Sequence, residues 1–152
     1  MSVLKNKRTQ SKAEYVNTAN QIYIKTVDFL SRLSARYSRL LAVQIAELAG
    51  SLMDNMEEAN SIYPSNPTRK DLRLRHLLEG RAALHALDVR LTHCYWIMYQ
   101  NPQGCFTAEH GGTVPSSTAM RRLDNMAQEL GELIDQEDKL IGGVLESDRL
   151  RK

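Results

Sequence analysis

The chain contains four long segments in which apolar residues recur every three or four positions, the spacing of an amphipathic α-helix. These segments predict helices over residues 11–33, 37–60, 69–99 and 116–147. The most regular apolar stripe belongs to the third helix and comprises Leu77, Gly80, Leu84, Leu87, Leu91, Cys94 and Met98. Prolines within 61–68 and 101–115 predict breaks, whereas the first turn, at residues 34–36, contains neither glycine nor proline.

The order and spacing of these helices predict an all-α fold. With two short connections and one longer one, they favour an antiparallel up-down-up-down four-helix bundle. The bundle is expected to comprise residues 11–148, preceded by a basic flexible tail at residues 1–10. Ser11, followed three positions later by Glu14, predicts a capping box for the first helix. Thr68 is the expected cap of the third helix, and Ser116 or Ser117 that of the fourth.

The first predicted helix carries two neighbouring apolar stripes. One stripe comprises Val16, Tyr23, Val27 and Leu30, and the other comprises Tyr15, Ala19, Ile22, Phe29 and Leu33. A single stripe suffices for the core of a bundle, so the second indicates burial against another subunit. The residues expected at that interface are Tyr15, Ile22, Phe29 and Leu33.

Composition narrows the possible classes of protein. The chain has 152 residues, of which 42% are hydrophobic and 25% charged, as expected for one globular domain. No apolar run approaches the roughly 20 residues needed to cross a bilayer, and no apolar segment follows the basic N-terminus. Cys94 and Cys105 do not make a disulfide framework. These features predict a cytoplasmic protein without a membrane partner.

The net charge of +2 is small, but the basic side chains are unevenly distributed. The predicted topology places one group at one end of the bundle: Arg32, Arg36, Arg39, Arg90, Arg121 and Arg122. A second group lies at the opposite end and includes Arg69, Lys70, Arg73 and Arg75. Arginine binds phosphate through a forked pair of donors, so both groups are candidate contacts for a nucleic-acid backbone. The alternative is an ordinary solvated surface with acidic neighbours such as Asp71 and Asp124.

Enzymatic chemistry finds little support in the sequence. The chain has no glycine-rich phosphate loop and no catalytic triad, and His93, Cys94, Cys105 and His110 match no zinc spacing. We therefore expect no metal, no cofactor and no catalytic residue. Arg69 and His76 do match the Arg–His spacing of metal-independent ribonucleases of the HEPN type. Such a match arises easily in an arginine-rich segment, and this activity stays open as an alternative.

Two further features allow two interpretations each. Glu137 interrupts the apolar stripe of the fourth helix. It lies at a polar edge or pairs with an arginine such as Arg81, or else it fixes helix register or faces a subunit interface. The aromatic cluster Tyr95-Trp96-Tyr99 either packs at the end of the bundle or at an interface, or stacks on nucleic-acid bases.

A combination of short motifs resembles a known family. Arg36-Tyr37-Ser38-Arg39-Leu40 leads into an apolar-striped helix that closes with Glu58-Ala59-Asn60-Ser61-Ile62-Tyr63-Pro64. An arginine-containing helix follows, with Arg73, Arg75 and then Arg81-Ala82-Ala83-Leu84. This order resembles the four-helix-bundle family that contains the accessory variability determinant proteins of diversity-generating retroelements. Related members are encoded in ribosomal RNA intervening sequences. The resemblance covers residues 11–99 by motif and 116–147 by layout.

The resemblance implies a ring-shaped homopentamer that is not an enzyme. It implies a retroelement reverse transcriptase as partner and binding of template RNA on a basic surface, in support of mutagenic cDNA synthesis. The positions expected to contact RNA or the partner are Arg32, Arg36, Arg39, Arg69, Arg73 and Arg75, joined by Lys70, Arg121 and Arg122. The chain departs from the family in its low net charge and its long 101–115 loop. A bundle with a purely structural, protein-binding role is the third possibility.

Overall fold

Four long α-helices form most of the chain in the computed structural model, which describes residues 3–6, 11–108 and 110–151. They are α1 (Glu14–Leu30), α2 (Ala35–Ser61), α3 (Pro67–Tyr99) and α4 (Ser116–Leu150), with short 3-10 helices at Val3–Asn6 and Pro102–Cys105. The predicted all-α class is confirmed for the described residues, where extended pairing is limited to a bridge between Thr107 and Thr113. Apart from residues 3–6, the predicted tail lies outside the described residues.

Proline and asparagine decide where α3 begins. The helix starts at Pro67, and Asn66 is its cap, accepting a 2.9 Å hydrogen bond from the backbone N–H of Arg69. The prediction of Thr68 as cap was wrong because proline is favoured at the first helical position, where its missing N–H has no partner to lose. The predicted capping box at Ser11 was also wrong. The Ser11 hydroxyl accepts from the N–H of Ala13, and α1 begins only at Glu14.

The starts of α2 and α4 differ in whether a side chain caps them. Ser34 caps α2 by accepting a bond from the Tyr37 N–H, so the break between α1 and α2 is a tight turn without glycine or proline. The start of α4 follows Pro115 and has no side-chain cap, whereas a serine cap was expected.

The stripe predicted for α3 lies in the core along its whole length. All seven positions are buried: Leu77, Gly80, Leu84, Leu87, Leu91, Cys94 and Met98. A side chain at Gly80 would collide with the end of Met56 and approach the β-carbon of Asn55 to 3.1 Å. Glycine therefore permits α3 to pack closely on α2.

Helix α1 packs against both α2 and α4, and this arrangement explains its two apolar stripes. Tyr15, Ile22, Phe29 and Leu33 are all buried within the chain itself. The expectation that these four residues form a subunit interface is corrected accordingly, because a bundle helix with two neighbours buries two adjacent stripes without a second subunit. The apolar residues that α1 does expose are Ile24 and Val27.

The ends of the helices meet in a consistent order. The hydroxyl of Tyr15, early in α1, donates to Asn60, late in α2, over 3.4 Å. Arg73, early in α3, binds Asp148, late in α4, at 2.5 Å. None of the described helices carries an apolar stretch of the length that a lipid bilayer requires.

Glu137 is an acidic residue in the core, where its burial opposes stability. Its side chain is fully buried, and neither carboxylate oxygen has a hydrogen-bond partner among the described residues. Burial raises its pKa to about 8. The predicted ion pair with Arg81 is wrong, because Arg81 binds the next residue, Asp138, at 2.8 Å near the surface. The pKa of Asp138 falls to about 2 because Arg81 and then His85 donate hydrogen bonds to it.

Replacing Glu137 with glutamine is expected to stabilise the fold and to remove a pH dependence. The folded chain holds this proton up to pH about 8, whereas the ordinary pKa is 4.5. The free energy of unfolding therefore falls as pH rises between these values. Glu137→Gln should be more stable than the unmodified protein by roughly 2–4 kcal/mol at the upper end and nearly equal at the lower end. Urea unfolding at a series of pH values measures this difference.

The matched control is Glu132→Gln, on the exposed side of the same helix. It should leave the pH dependence unchanged. Parallel pH profiles for Glu137→Gln and the unmodified protein would contradict the assignment of this dependence to Glu137.

Candidate nucleic-acid interface

Phe106 links the end of α1 to the beginning of α4. The ring is buried, with the guanidinium carbon of Arg32 at 5.1 Å from its centroid and that of Arg122 at 6.0 Å. Both arginines gain a cation–π interaction with the same aromatic ring. Phe106 belongs to the long loop between α3 and α4, and the sequence analysis did not single it out. An aromatic residue within a loop rich in glycine and proline was the available signal.

Three further arginines, together with Arg122, make this end of the molecule strongly basic. Arg36 and Arg39 lie in the first turns of α2, and Arg121 and Arg122 lie in the first turns of α4. All four are exposed, and none forms a salt bridge with another described residue. Together with Arg32 we call these residues the basic end.

The beginnings of α2 and α4 add to the positive potential of the basic end. Neither helix has an acidic residue in its first turn. The free N–H groups there carry a partial positive charge that attracts anions. The neighbouring acid Asp124, which an ordinary solvated surface would pair with arginine, accepts instead from the Tyr95 hydroxyl at 2.5 Å. This bond raises the pKa of Tyr95 to about 12.

Arg32 differs from the other members of the basic end. One of its terminal nitrogens lies 3.5 Å from Asp28, and its Nε is buried with no acceptor among the described residues. Because Arg32 already rests on Phe106 and pairs with Asp28, its main role is to hold the α1–α2 turn against the loop. Arg36, Arg39 and Arg121 have neither kind of contact among the described residues, and Arg122, which also lies over Phe106, is exposed.

At the opposite end, Arg73 has a structural role. Its guanidinium binds Asp148 in α4 and donates to the backbone carbonyls of Ala59, at 2.8 Å, and Ile62, at 3.2 Å. It therefore satisfies carbonyls at the C-terminal end of α2 and ties three helices together. Its side chain is 12% exposed, so its expected contact with RNA is corrected to a structural contact.

The remaining basic residues of that end differ in whether a neighbouring group binds them. Lys70 donates a 3.2 Å bond to the carbonyl of Arg151, whereas Arg69 and Arg75 are exposed and form no salt bridge with a described residue. A groove of about 610 Å³ lies nearby between α3 and α4. The basic residue Arg149 on its rim pairs with Glu146 at 2.6 Å. The groove therefore offers less unpaired charge than the basic end.

The residues of the proposed ribonuclease alternative lie far apart. Arg69 is in the first turn of α3, whereas His76 lies seven residues on, about 10 Å along the helix axis. The Nδ1 atom of His76 is 2.9 Å from the side-chain oxygen of Asn55 on α2, which orients the half-buried ring. The two residues are therefore separated by about two helical turns on α3.

Cys94 and Cys105 are both buried, and burial raises the pKa of the Cys94 thiol to about 11. Within the part of the chain that the structure describes, no three histidine, cysteine or acidic side chains converge as metal ligands would.

The aromatic cluster on α3 has one half-buried member and two exposed members. Tyr95 is half-buried and bonded to Asp124, but Trp96 is 59% exposed and Tyr99 is 54% exposed. The ring of His93 lies 5.6 Å from that of Trp96. Packing within the bundle therefore accounts for Tyr95 and not for its two aromatic neighbours.

Comparisons with known proteins leave the family unassigned. No family model, curated protein or solved structure matches the chain. The family resemblance in the sequence accordingly stays a hypothesis, and the geometry of the basic end is the independent support for function.

Replacing Arg73 is expected to destabilise the fold. Arg73→Met keeps the apolar part of the side chain but removes the guanidinium, and so leaves Asp148 and two carbonyls without this donor. We expect a loss of about 2–3 kcal/mol in the free energy of unfolding, measured by urea denaturation. Arg75→Met, two residues away and exposed, is the matched control and should change stability by less than about 0.5 kcal/mol. Equal stability of the two variants would show that Arg73 is not a structural clamp.

Proposed function

We propose that this chain is a non-catalytic, cytoplasmic accessory protein of a diversity-generating retroelement. It binds the element's reverse transcriptase and template RNA and supports mutagenic cDNA synthesis. The observation that carries the RNA-binding part is the basic end, where four exposed arginines lack carboxylate partners among the described residues. The family resemblance supplies the reverse transcriptase as partner.

The basic end suits RNA because several arginines are grouped on one surface, although the net charge of the chain is small. Phosphate binding depends on the number of cations that replace condensed counterions, and a local group of arginines is enough for this. The net charge of the whole chain is only +2, so RNA binding is confined to this surface. Arg36 and Arg39 approach from α2, while Arg121 and Arg122 approach from α4.

The helix contacts support an antiparallel up-down-up-down bundle as the scaffold of this function. Tyr15 with Asn60 pairs the start of α1 with the end of α2. Arg73 meets the end of α2 and the end of α4, while Tyr95, late in α3, meets Asp124, early in α4. In this arrangement α2 and α4 begin at the same end, and their first turns together form the basic end.

A ring-shaped homopentamer is part of the proposal, with its interface outside the buried stripe of α1. Ile24, Leu40 and Val43 are each more than 60% exposed on α1 and α2. The interface of such a ring would cover exposed apolar side chains of this kind. Light scattering should give the mass of five subunits, and a monomer would remove the ring from the proposal.

The RNA-binding surface can be tested with two matched double variants. Arg36→Gln/Arg39→Gln removes two charges from the basic end, and Arg69→Gln/Arg75→Gln removes two exposed charges from the opposite end. Fluorescence anisotropy with a labelled template RNA should show weaker binding for the first pair. The slope of log affinity against log salt should also fall by roughly 1.5–2. The second pair should have a smaller effect, and equal losses would contradict the assignment to the basic end.

The partner and the alternatives require separate readouts. A co-expressed retroelement reverse transcriptase should co-purify with the chain, and the bound RNA should stay intact on a gel. Metal-independent cleavage that disappears in His76→Ala would replace the proposal with a HEPN-like ribonuclease. Partner binding with no affinity for RNA would instead indicate a purely structural helical bundle.

A further inference from the structure

The only tryptophan of the chain lies on an exposed face of α3. Trp96 is 59% exposed, with the ring of His93 at 5.6 Å and Tyr99 one turn further along. An indole ring that stays in water does not gain the free energy of burying its apolar surface. Neither the core nor the basic end uses this side chain, so its position calls for a binding role.

Neighbouring contacts place Trp96 at the same end of the molecule as the exposed arginines. The preceding residue, Tyr95, bonds to Asp124 in α4. Arg121 lies one helical turn before Asp124, towards the start of α4, and is exposed. The turn of α3 that carries Trp96 therefore lies beside the first turns of α4, whose arginines belong to the basic end.

We propose that Trp96 is a stacking platform for an unpaired base and that the RNA bound at the basic end is single-stranded. This inference rests on the proposed RNA-binding function and names the class of RNA. An aromatic face can stack only on a base that is splayed out of a helix, whereas duplex RNA presents its backbone and a shallow groove. Arginines that hold the phosphates beside an exposed ring are the usual composition of single-strand binding surfaces.

The nearby charges are compatible with this use of the ring. Asp124, the acidic residue in contact with this turn of α3, is engaged with the hydroxyl of Tyr95. On α3, Tyr99 is also exposed and lies one turn closer to the end of the helix, whereas Val89 lies about 10 Å along the axis towards the opposite end. Trp96 and Tyr99 therefore lie at the end of α3 that is nearest to the arginines of α4.

The proposal is tested by the intrinsic fluorescence of the single tryptophan. Titration with a short oligouridylate should quench the emission to saturation, and a perfectly paired RNA duplex of equal length should quench it little. In anisotropy with a labelled oligouridylate, Trp96→Leu should weaken binding roughly tenfold, and Trp96→Tyr should restore most of the affinity. Trp96→Leu should leave duplex affinity unchanged, as should Val89→Ala, the control on the same helix, for both RNAs.

The outcomes separate this inference from the function on which it rests. Binding that depends on Arg36 and Arg39, without quenching and without an effect of Trp96→Leu, overturns the stacking platform and leaves the proposed function intact. No binding of any RNA overturns both. Loss of reverse transcriptase or of self-association in Trp96→Leu, with unchanged affinity for oligouridylate, assigns the face to a protein and overturns the inference. Circular dichroism verifies that each variant is folded, as expected for an exposed position.

Discussion

The buried stripe of α3 is the constraint on which the rest of the molecule depends. Its seven positions lie in the core between α2 and α4, and Gly80 allows α2 to come close enough for Asn55 and Met56 to pack against it. Once this face is buried, the direction of every other side chain on α3 follows from helix geometry. Arg73 is thereby directed to the ends of α2 and α4, while Trp96 is left on the outer surface.

The arginines show how one residue type acquires different roles. Arg73 closes the C-terminal end of α2, Arg81 pairs with Asp138, and Arg36 and Arg39 stay exposed without a carboxylate partner among the described residues. The difference lies in the neighbours that the tertiary structure supplies, since their side chains are chemically identical. A functional surface made of charge can therefore be recognised only after the structural arginines have been set aside, and this selection concentrates the candidates at the basic end.

Stability and function are unevenly distributed along α4. The first turns carry exposed arginines and no side-chain cap, whereas Glu137 in the interior is a buried carboxyl without a donor among the described residues. Such a group destabilises the fold when ionised, and its raised pKa keeps it largely protonated near neutral pH. The uncapped start leaves N–H groups available at the surface proposed to meet RNA. Natural proteins commonly give up some stability at functional sites. The structure assigns no such role to Glu137.

The sequence by itself determined the helices and most of the core, because apolar periodicity and proline breaks act over a few residues. Every observed helix end lies within three residues of its predicted position, and the whole stripe of α3 was predicted. The caps at Ser11 and Thr68 were mispredicted because several polar residues compete for each helix end. Only the tertiary structure decided that Tyr15 and Phe29 are buried within one chain and that Arg73 is a clamp. Each depends on which distant segment lies opposite the side chain, and periodicity along one helix carries no information about that neighbour.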